Sequence, residues 1–172
     1  MTDWKMLTLV GADRPGIVAG VTEALYQAGC SLGEASMLRL GGNFSIMMMV
    51  AGGDRPDLTQ VVAPVAQALG LSFHLDPVGG GLHQHLVPNV QVRVSGADRP
   101  GIVARVTGAL AAQGFNILEL ESDVAGHAER PVYIMSIQGY CDATLETLQG
   151  ALADLAREGI EVDVSPVETL FG

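Results

Sequence analysis

The chain has 172 residues, 48% of them hydrophobic and 16% charged, and its 19 acidic against nine basic residues give a formal net charge of −10. This charge disfavours direct binding of nucleic acid, because it repels phosphate backbones and no run of Lys or Arg offsets it. The sequence shows no export signal and no apolar run near the roughly 20 residues of a membrane span, so we expect a cytoplasmic protein that has no membrane contact. We expect its two cysteines, Cys30 and Cys141, to be free thiols.

The first predicted strand leads into the loop segment GADRPGIVA at residues 11–19, which opens a helix. Proline disfavours helical geometry in the residue before it and is well suited to the first helical position. The sequence therefore predicts Arg14 as the helix cap and Pro15 as the first helical residue.

The start of this helix is a candidate anion site. The backbone N–H groups of Gly16, Ile17 and Val18 would lie free there and carry partial positive charge, which suits a carboxylate. Asp13 would either receive the ammonium group of a zwitterion or act as a local turn former. A ligand-binding loop and an ordinary strand-to-helix turn both fit these residues, and the residue pattern alone leaves the two interpretations open.

The rest of the first half alternates between helix and strand patterns. Apolar residues at helical spacing predict a first helix that ends at Gly29. Two strands follow, near residues 31–40 and 43–51, and then a second helix that ends at Gly70. Alternation around residues 71–75 predicts the last strand of this half.

Two motifs in the first half could suggest metal or redox chemistry. Residues 47–50 read MMMV, apolar without alternation, which predicts a buried or interface strand filled with adaptable methionine. His83 and His85 have chelate spacing, but no carboxylate or cysteine lies near them, so we expect solvated linker histidines. No serine has the context of a nucleophile. We therefore expect no catalytic residue, no metal and no cofactor.

The second half repeats this order. GADRPGIVA recurs letter for letter at residues 96–104, 85 positions after its first occurrence. A helix follows that ends at Gly114, then strands near residues 115–125 and 131–138, and then a second helix that ends at Gly159 before a last alternating strand.

A repeat of this length indicates a duplicated small domain. The glycine-rich stretch between the halves predicts a first domain at residues 1–80, a linker at 81–87 and a second domain at 88–172. Each half has the order β-α-β-β-α-β. The expected fold class is therefore α+β, with two ferredoxin-like βαββαβ domains in tandem, each an antiparallel sheet with helices on one face.

The segment ADRPGIVA after an apolar strand, the helix that ends in glycine and the Asn116-Ile117 strand entry resemble the ACT domain, and the two copies cover nearly the whole chain. The tandem arrangement resembles the glycine cleavage system transcriptional repressor family. ACT domains bind amino acids where the strand–helix loop of one domain faces the sheet edge of a neighbouring domain. The resemblance implies that the ligand-binding residues are Asp13, Arg14, Pro15, Gly16, Ile17 and Ser31 in the first half, and Asp98, Arg99, Pro100, Gly101, Ile102 and Asn116 in the second.

The resemblance also implies a function. We expect an amino-acid-sensing regulatory protein that acts through protein–protein contacts and is not an enzyme. Its expected partners are a small amino acid effector such as glycine and a transcription factor or metabolic enzyme, and the chain itself is expected to form a homodimer. The alternative is a regulatory subunit of an amino-acid metabolic enzyme.

Overall fold

A computed structural model of the chain describes residues 4–52, 57–78, 86–97, 99–127 and 130–167. The chain divides into two compact units, residues 1–84 and 85–172, which are called the first and the second unit below.

The first unit has the predicted element order. Its elements are β1 (Trp4–Ala12), α1 (Ile17–Gln27), β2 (Ser31–Leu40), β3 (Asn43–Ala51), α2 (Leu58–Leu69) and β4 (Ser72–Pro77). The four strands form one antiparallel sheet in the order β2-β3-β1-β4. Gly29, which follows α1, has φ 73°, a left-handed conformation that confirms its predicted role as a helix stop.

The second unit repeats this architecture. Its elements are β5 (Val90–Ala97), α3 (Ile102–Ala111), β6 (Asn116–His127), β7 (Arg130–Tyr140), α4 (Leu145–Arg157) and β8 (Glu161–Pro166). The sheet order is β6-β7-β5-β8, the same as in the first unit, and every neighbouring pair is antiparallel. The predicted α+β fold of two ferredoxin-like βαββαβ units is therefore confirmed.

Each sheet covers its core with one face. In the second unit Val92 and Val94 on β5 are fully buried and pack with residues of α3 and α4 such as Val106 and Leu148. The alternate residues of the same strand point away from the helices, because successive side chains of a strand lie on opposite faces. We call this second surface the open face of each sheet.

The methionine run lies on an interior strand, since β3 pairs with both β2 and β1. Met48 and Val50 belong to the core below the helices, and Met49 is also buried. Met47 lies on the open face and is 48% exposed. The predicted buried or interface strand is thus buried at three of these four residues. For Met47, whose pairing partner Thr8 is only partly buried, the interface alternative stays a prediction.

Candidate functional site

The repeated loops place a glycine, and not the predicted arginine, at the start of the helix. α1 begins at Ile17, and its N-cap is Gly16 with φ 90°; α3 begins at Ile102, and its N-cap Gly101 also has φ 90°. Residues other than glycine rarely adopt this left-handed conformation. The prediction of Arg14 as the cap and Pro15 as the first helical residue is therefore wrong, because the chain turns once more after the proline before the helix begins.

The free N–H groups at this helix start include the three predicted ones and extend one residue further along the chain. The carbonyl of Gly16 already accepts from the N–H of Gly20 at 2.9 Å, as an N-cap carbonyl does. The groups without a partner inside the helix are thus those of Gly16, Ile17, Val18 and Ala19. The side chains of Ile17 and of its counterpart Ile102 are buried in the two cores. These two isoleucines can therefore meet a ligand only through their backbone.

The two other helices begin differently. The carboxylate of Asp57 accepts from the N–H of Thr59 at 3.0 Å at the start of α2, and the hydroxyl of Thr144 accepts from the N–H of Thr147 at 3.2 Å at the start of α4. At α1 and α3 no cap side chain accepts a hydrogen bond in the described part of the chain. The two helices that follow the repeated loops therefore keep their first N–H groups available to an anion.

Asp13 in the first loop already has a partner. Its Oδ2 lies 2.5 Å from Nη2 of Arg39 near the end of β2, and its backbone N–H donates to the carbonyl of Gly42 at 3.0 Å. Sequence reasoning missed Arg39, which sits 26 residues away and meets the loop only through the β2–β3 hairpin. The position that corresponds to Arg39 in the repeat is Val124. The other loop acid, Asp98, lies outside the described residues.

The loop arginines lie near the end of the second helix of each unit. Nη2 of Arg14 donates to the carbonyl of Ala68 at 3.3 Å, in the last turn of α2. Arg99 contributes to lowering the pKa of Glu158, which directly follows α4, although the hydrogen-bonded Arg105 is the larger cause. Arg14 therefore joins its loop to the end of the neighbouring helix by a hydrogen bond. In the second unit the positive charge of Arg99 favours the ionised form of Glu158 at the end of the corresponding helix.

Asn116 and Ser31 lie at the other end of their sheets from the loops. Asn116 pairs with Tyr140, whereas Ala97, the last residue of β5 before the loop, pairs with Val132. Eight residues along β7 separate these positions, or roughly 26 Å. Ser31 likewise pairs with Ala51, at the opposite end of β3 from the first loop. Both side chains are exposed, and neither unit by itself brings one of them to its own loop.

The described residues contain no group of three or more His, Cys, Asp or Glu side chains that could hold a metal ion. His83 and His85 lie outside the part of the chain that the structure describes. None of the helices in the described ranges combines the length and the hydropathy that crossing a bilayer requires.

Comparison with known families agrees with this architecture. Residues 6–75 and residues 90–139 each match the ACT domain. The chain therefore belongs to the ACT-domain family and carries two ACT domains in tandem.

Among individual proteins, the chain is similar to the glycine cleavage system transcriptional repressor of Escherichia coli K12, with 30% identity over 121 residues. That alignment covers 69% of this chain and 64% of the relative, so the match spans a little under two thirds of the relative's length. A crystal structure of an unknown protein from Galdieria sulphuraria has a TM-score of 0.76 at 25% identity and covers 98% of this chain and all of its own. A second crystal structure, described as a candidate glycine cleavage system transcriptional repressor, has a TM-score of 0.70 at 21% identity, covers 98% of this chain and 99% of its own, and supports the fold alone.

Proposed function

We propose that this protein is an amino-acid-sensing regulator that acts through protein–protein contacts and without catalysis. The observation that carries the proposal is the contrast between helix starts. The starts of α2 and α4 are capped by Asp57 and Thr144, whereas α1 and α3, which follow two identical loops, have no side-chain cap among the described residues. A free amino acid offers a carboxylate to such N–H groups. Membership of the ACT-domain family supports the same class of effector.

The second unit provides the stronger of the two loop sites in this proposal. An α-amino acid also needs an acceptor for its ammonium group, and the acid of each loop is the candidate acceptor. In the first unit Asp13 is engaged by Arg39 at 2.5 Å, so a ligand ammonium would compete with a guanidinium already in place. In the second unit Val124 stands at the position of Arg39 and offers no such competition.

The relative's name supports a role in gene control. By this similarity we propose that the chain controls genes of glycine cleavage or of related amino-acid metabolism, through contact with a transcription factor. The negative charge of −10 opposes direct contact with DNA. The alternative is a regulatory subunit of an amino-acid metabolic enzyme. Affinity capture of the full chain from its native host distinguishes the two by whether a transcription factor or a metabolic enzyme is retained.

We further propose that the chain forms a homodimer through β2 of the first unit. This edge strand exposes Met37, Leu38 and Leu40 by 51%, 59% and 71%. Unprotected apolar edges are rare in monomers, because they pair with other chains. The corresponding edge strand of the second unit also exposes Leu118, Leu120 and Val124, by 39%, 39% and 52%. It interleaves them with the exposed acids Glu119, Glu121 and Asp123, which discourage such pairing.

A thermal-shift screen of the full chain over the twenty amino acids tests the effector class. A ligand that binds the folded state alone raises the melting temperature by mass action, by an amount that grows with its concentration. We expect a small amino acid, glycine or one similar to it, to give the largest increase. A screen in which no amino acid raises the melting temperature at millimolar concentration would contradict the proposed function.

A further inference from the structure

The open face of the second unit carries a concavity of about 400 Å³ that is separate from the helix starts. It lies over β7, β5 and β8, on the side of the sheet away from α3 and α4. The lining that reaches the open face consists of Arg93, Ser95, Ile134, Ser136, Glu161 and Asp163.

The strand register arranges these side chains in two neighbouring rows. In one row Arg93 on β5 stands between Ser136 on β7 and Asp163 on β8. In the next row Ser95 stands between Ile134 and Glu161. Neighbouring strands lie about 4.8 Å apart, so Arg93 stands one strand spacing from Asp163, and one small zwitterion can reach both side chains.

Serine hydroxyls orient the two carboxylates of the concavity, whereas its cation has no partner within the described part of the chain. The hydroxyl of Ser95 donates to Oε2 of Glu161 at 3.2 Å, and the hydroxyl of Ser165 donates to Oδ2 of Asp163 at 3.3 Å. Among the described residues Arg93 forms neither a hydrogen bond nor an ion pair. Its guanidinium therefore presents its N–H donors in the planar fork that matches a carboxylate.

We propose that this concavity binds a small zwitterion, an α-amino acid. Arg93 receives the carboxylate, Asp163 and Glu161 receive the ammonium, and Ile134 contacts the ligand side chain. A ligand with negative charge only, such as phosphate, is disfavoured because two carboxylates face it across a single guanidinium. The proposal rests on the proposed function and deepens it, because it gives the effector a place on the sheet beyond the repeated loops.

The first unit provides an internal comparison. In its sheet the two corresponding rows are Met47, Thr8 and His74, and Ser45, Val10 and Ser72. They contain no arginine and no carboxylate. The loops of the two units are identical over nine residues, whereas their open faces differ at each of these six positions. The mixed-charge site is thus a property of the second unit alone.

Chemical-shift mapping on the full ¹⁵N-labelled chain tests the proposal. Each of the twenty amino acids is titrated, with acetate and methylamine as probes that carry one charge only. We expect at least one amino acid to shift the amide signals of residues 91–95, 134–136 and 161–163 more strongly than either probe. Arg93→Gln and, separately, Asp163→Asn should each weaken that binding roughly tenfold or more. Arg157→Gln changes the net charge as Arg93→Gln does but lies on α4, and it should leave the affinity unchanged.

The outcomes separate this site from the loop site. Shifts confined to the helix starts, at residues 16–19 and 101–104, would overturn the open-face site and leave the proposed function standing. Equal shifts with methylamine would show a simple cation site and overturn the zwitterion proposal, as would unchanged affinity in both Arg93→Gln and Asp163→Asn. No shift with any amino acid would overturn this site and the proposed function together.

Discussion

Arg39 and Asp13 form an ion pair, with 2.5 Å between Nη2 and Oδ2, that joins the end of β2 to the first repeated loop. The side chain of Arg39 is 67% exposed and that of Asp13 is 23% exposed, so the pair contributes little to stability. Its larger effect concerns binding. It occupies the loop acid of the first unit, whereas the second unit has Val124 at the position of the arginine.

Exchanging Arg39 and Val124 between the two units should exchange the relative affinities of the two loops for an amino acid. Arg39→Val is expected to strengthen amino acid binding at the first loop, because Asp13 becomes available to an ammonium group. Val124→Arg is expected to weaken binding at the second loop by placing a cation at the position that Arg39 has in the first unit. Isothermal titration calorimetry with the best ligand from the thermal screen measures both changes. If both variants bind like the wild type, the loop acids do not hold the ligand.

Asp98→Ala and Asn116→Ala should each weaken effector binding about ten- to a hundredfold, while Ser31→Ala should have a much smaller effect. The reason for the difference between Asn116 and Ser31 is that an amide offers two donors and a separate carbonyl acceptor on a longer side chain, whereas the shorter serine hydroxyl uses one oxygen as its single donor and as its acceptor. Calorimetry also gives the number of sites. Since Asn116 lies roughly 26 Å along the sheet from the loop of its own unit, a change in stoichiometry would show that Asp98 and Asn116 serve different sites. Equal losses in Ser31→Ala and Asn116→Ala would contradict the predicted difference between the halves.

The sequence predicted the fold well for two reasons. The repeat indicated the same element order in both halves, and the alternation of apolar residues indicated which face of each strand is buried. Val92 and Val94, which flank Arg93 on β5, are both buried, as the alternation of side chains along a strand predicts. What the sequence could not predict depends on pairing between distant strands. Arg39 reaches Asp13 only because the β2–β3 hairpin returns the chain to the first loop. Arg93 stands beside Asp163 only through the register of β5 with β8. The prediction that Pro15 is the first helical residue was wrong for a different reason. The chain makes a left-handed turn at Gly16, and the helix begins only after that residue.

Gly101→Ala and Gly108→Ala should change stability in opposite directions, although both residues belong to α3 or its cap. A Cβ atom at either position would meet no other atom within 4 Å, so packing does not distinguish them. Gly101 has φ 90°, where an alanine is strained by about 1–2 kcal/mol. Gly108 lies inside the helix, where alanine is better than glycine by about 0.5–1 kcal/mol. Urea unfolding followed by circular dichroism checks both signs. Destabilisation by Gly108→Ala would show that the helix interior tolerates no side chain there.

The ion pair between Arg105 on α3 and Glu158 after α4 should make stability depend on pH in the acid range. Two hydrogen bonds of 2.6 and 2.7 Å from Arg105 lower the pKa of the Glu158 carboxyl below its ordinary value. A carboxyl whose pKa is lowered in the folded state adds stability above its unfolded pKa, near 4.3, and loses it as the pH falls through the folded pKa. Glu158→Gln should therefore lower the free energy of unfolding at pH 7 and have less effect at pH 3.

Urea unfolding of both forms at the two pH values tests this dependence. Asp154→Asn serves as the control, because Asp154 and its partner Arg157 are about 80% exposed and their pair should add little at either pH. An effect of Glu158→Gln that is the same at pH 3 and pH 7 would mean that the charge of Glu158 does not act through Arg105.

The edge strand β2 should control self-association. Leu38 is 59% exposed on the open face of this edge, and the corresponding residue on the edge strand of the second unit is Asp123. Leu38→Asp gives the first edge the charge that the second edge carries at this position, and a charge buried on the contacting strand would destabilise a dimer formed through β2. We expect the wild type to sediment as a dimer at micromolar concentration and Leu38→Asp to sediment as a monomer. Asp123→Asn, which changes the other edge, should not alter the mass. A wild-type chain that sediments as a monomer, or a Leu38→Asp variant that keeps its dimer mass, would exclude β2 as the dimer contact.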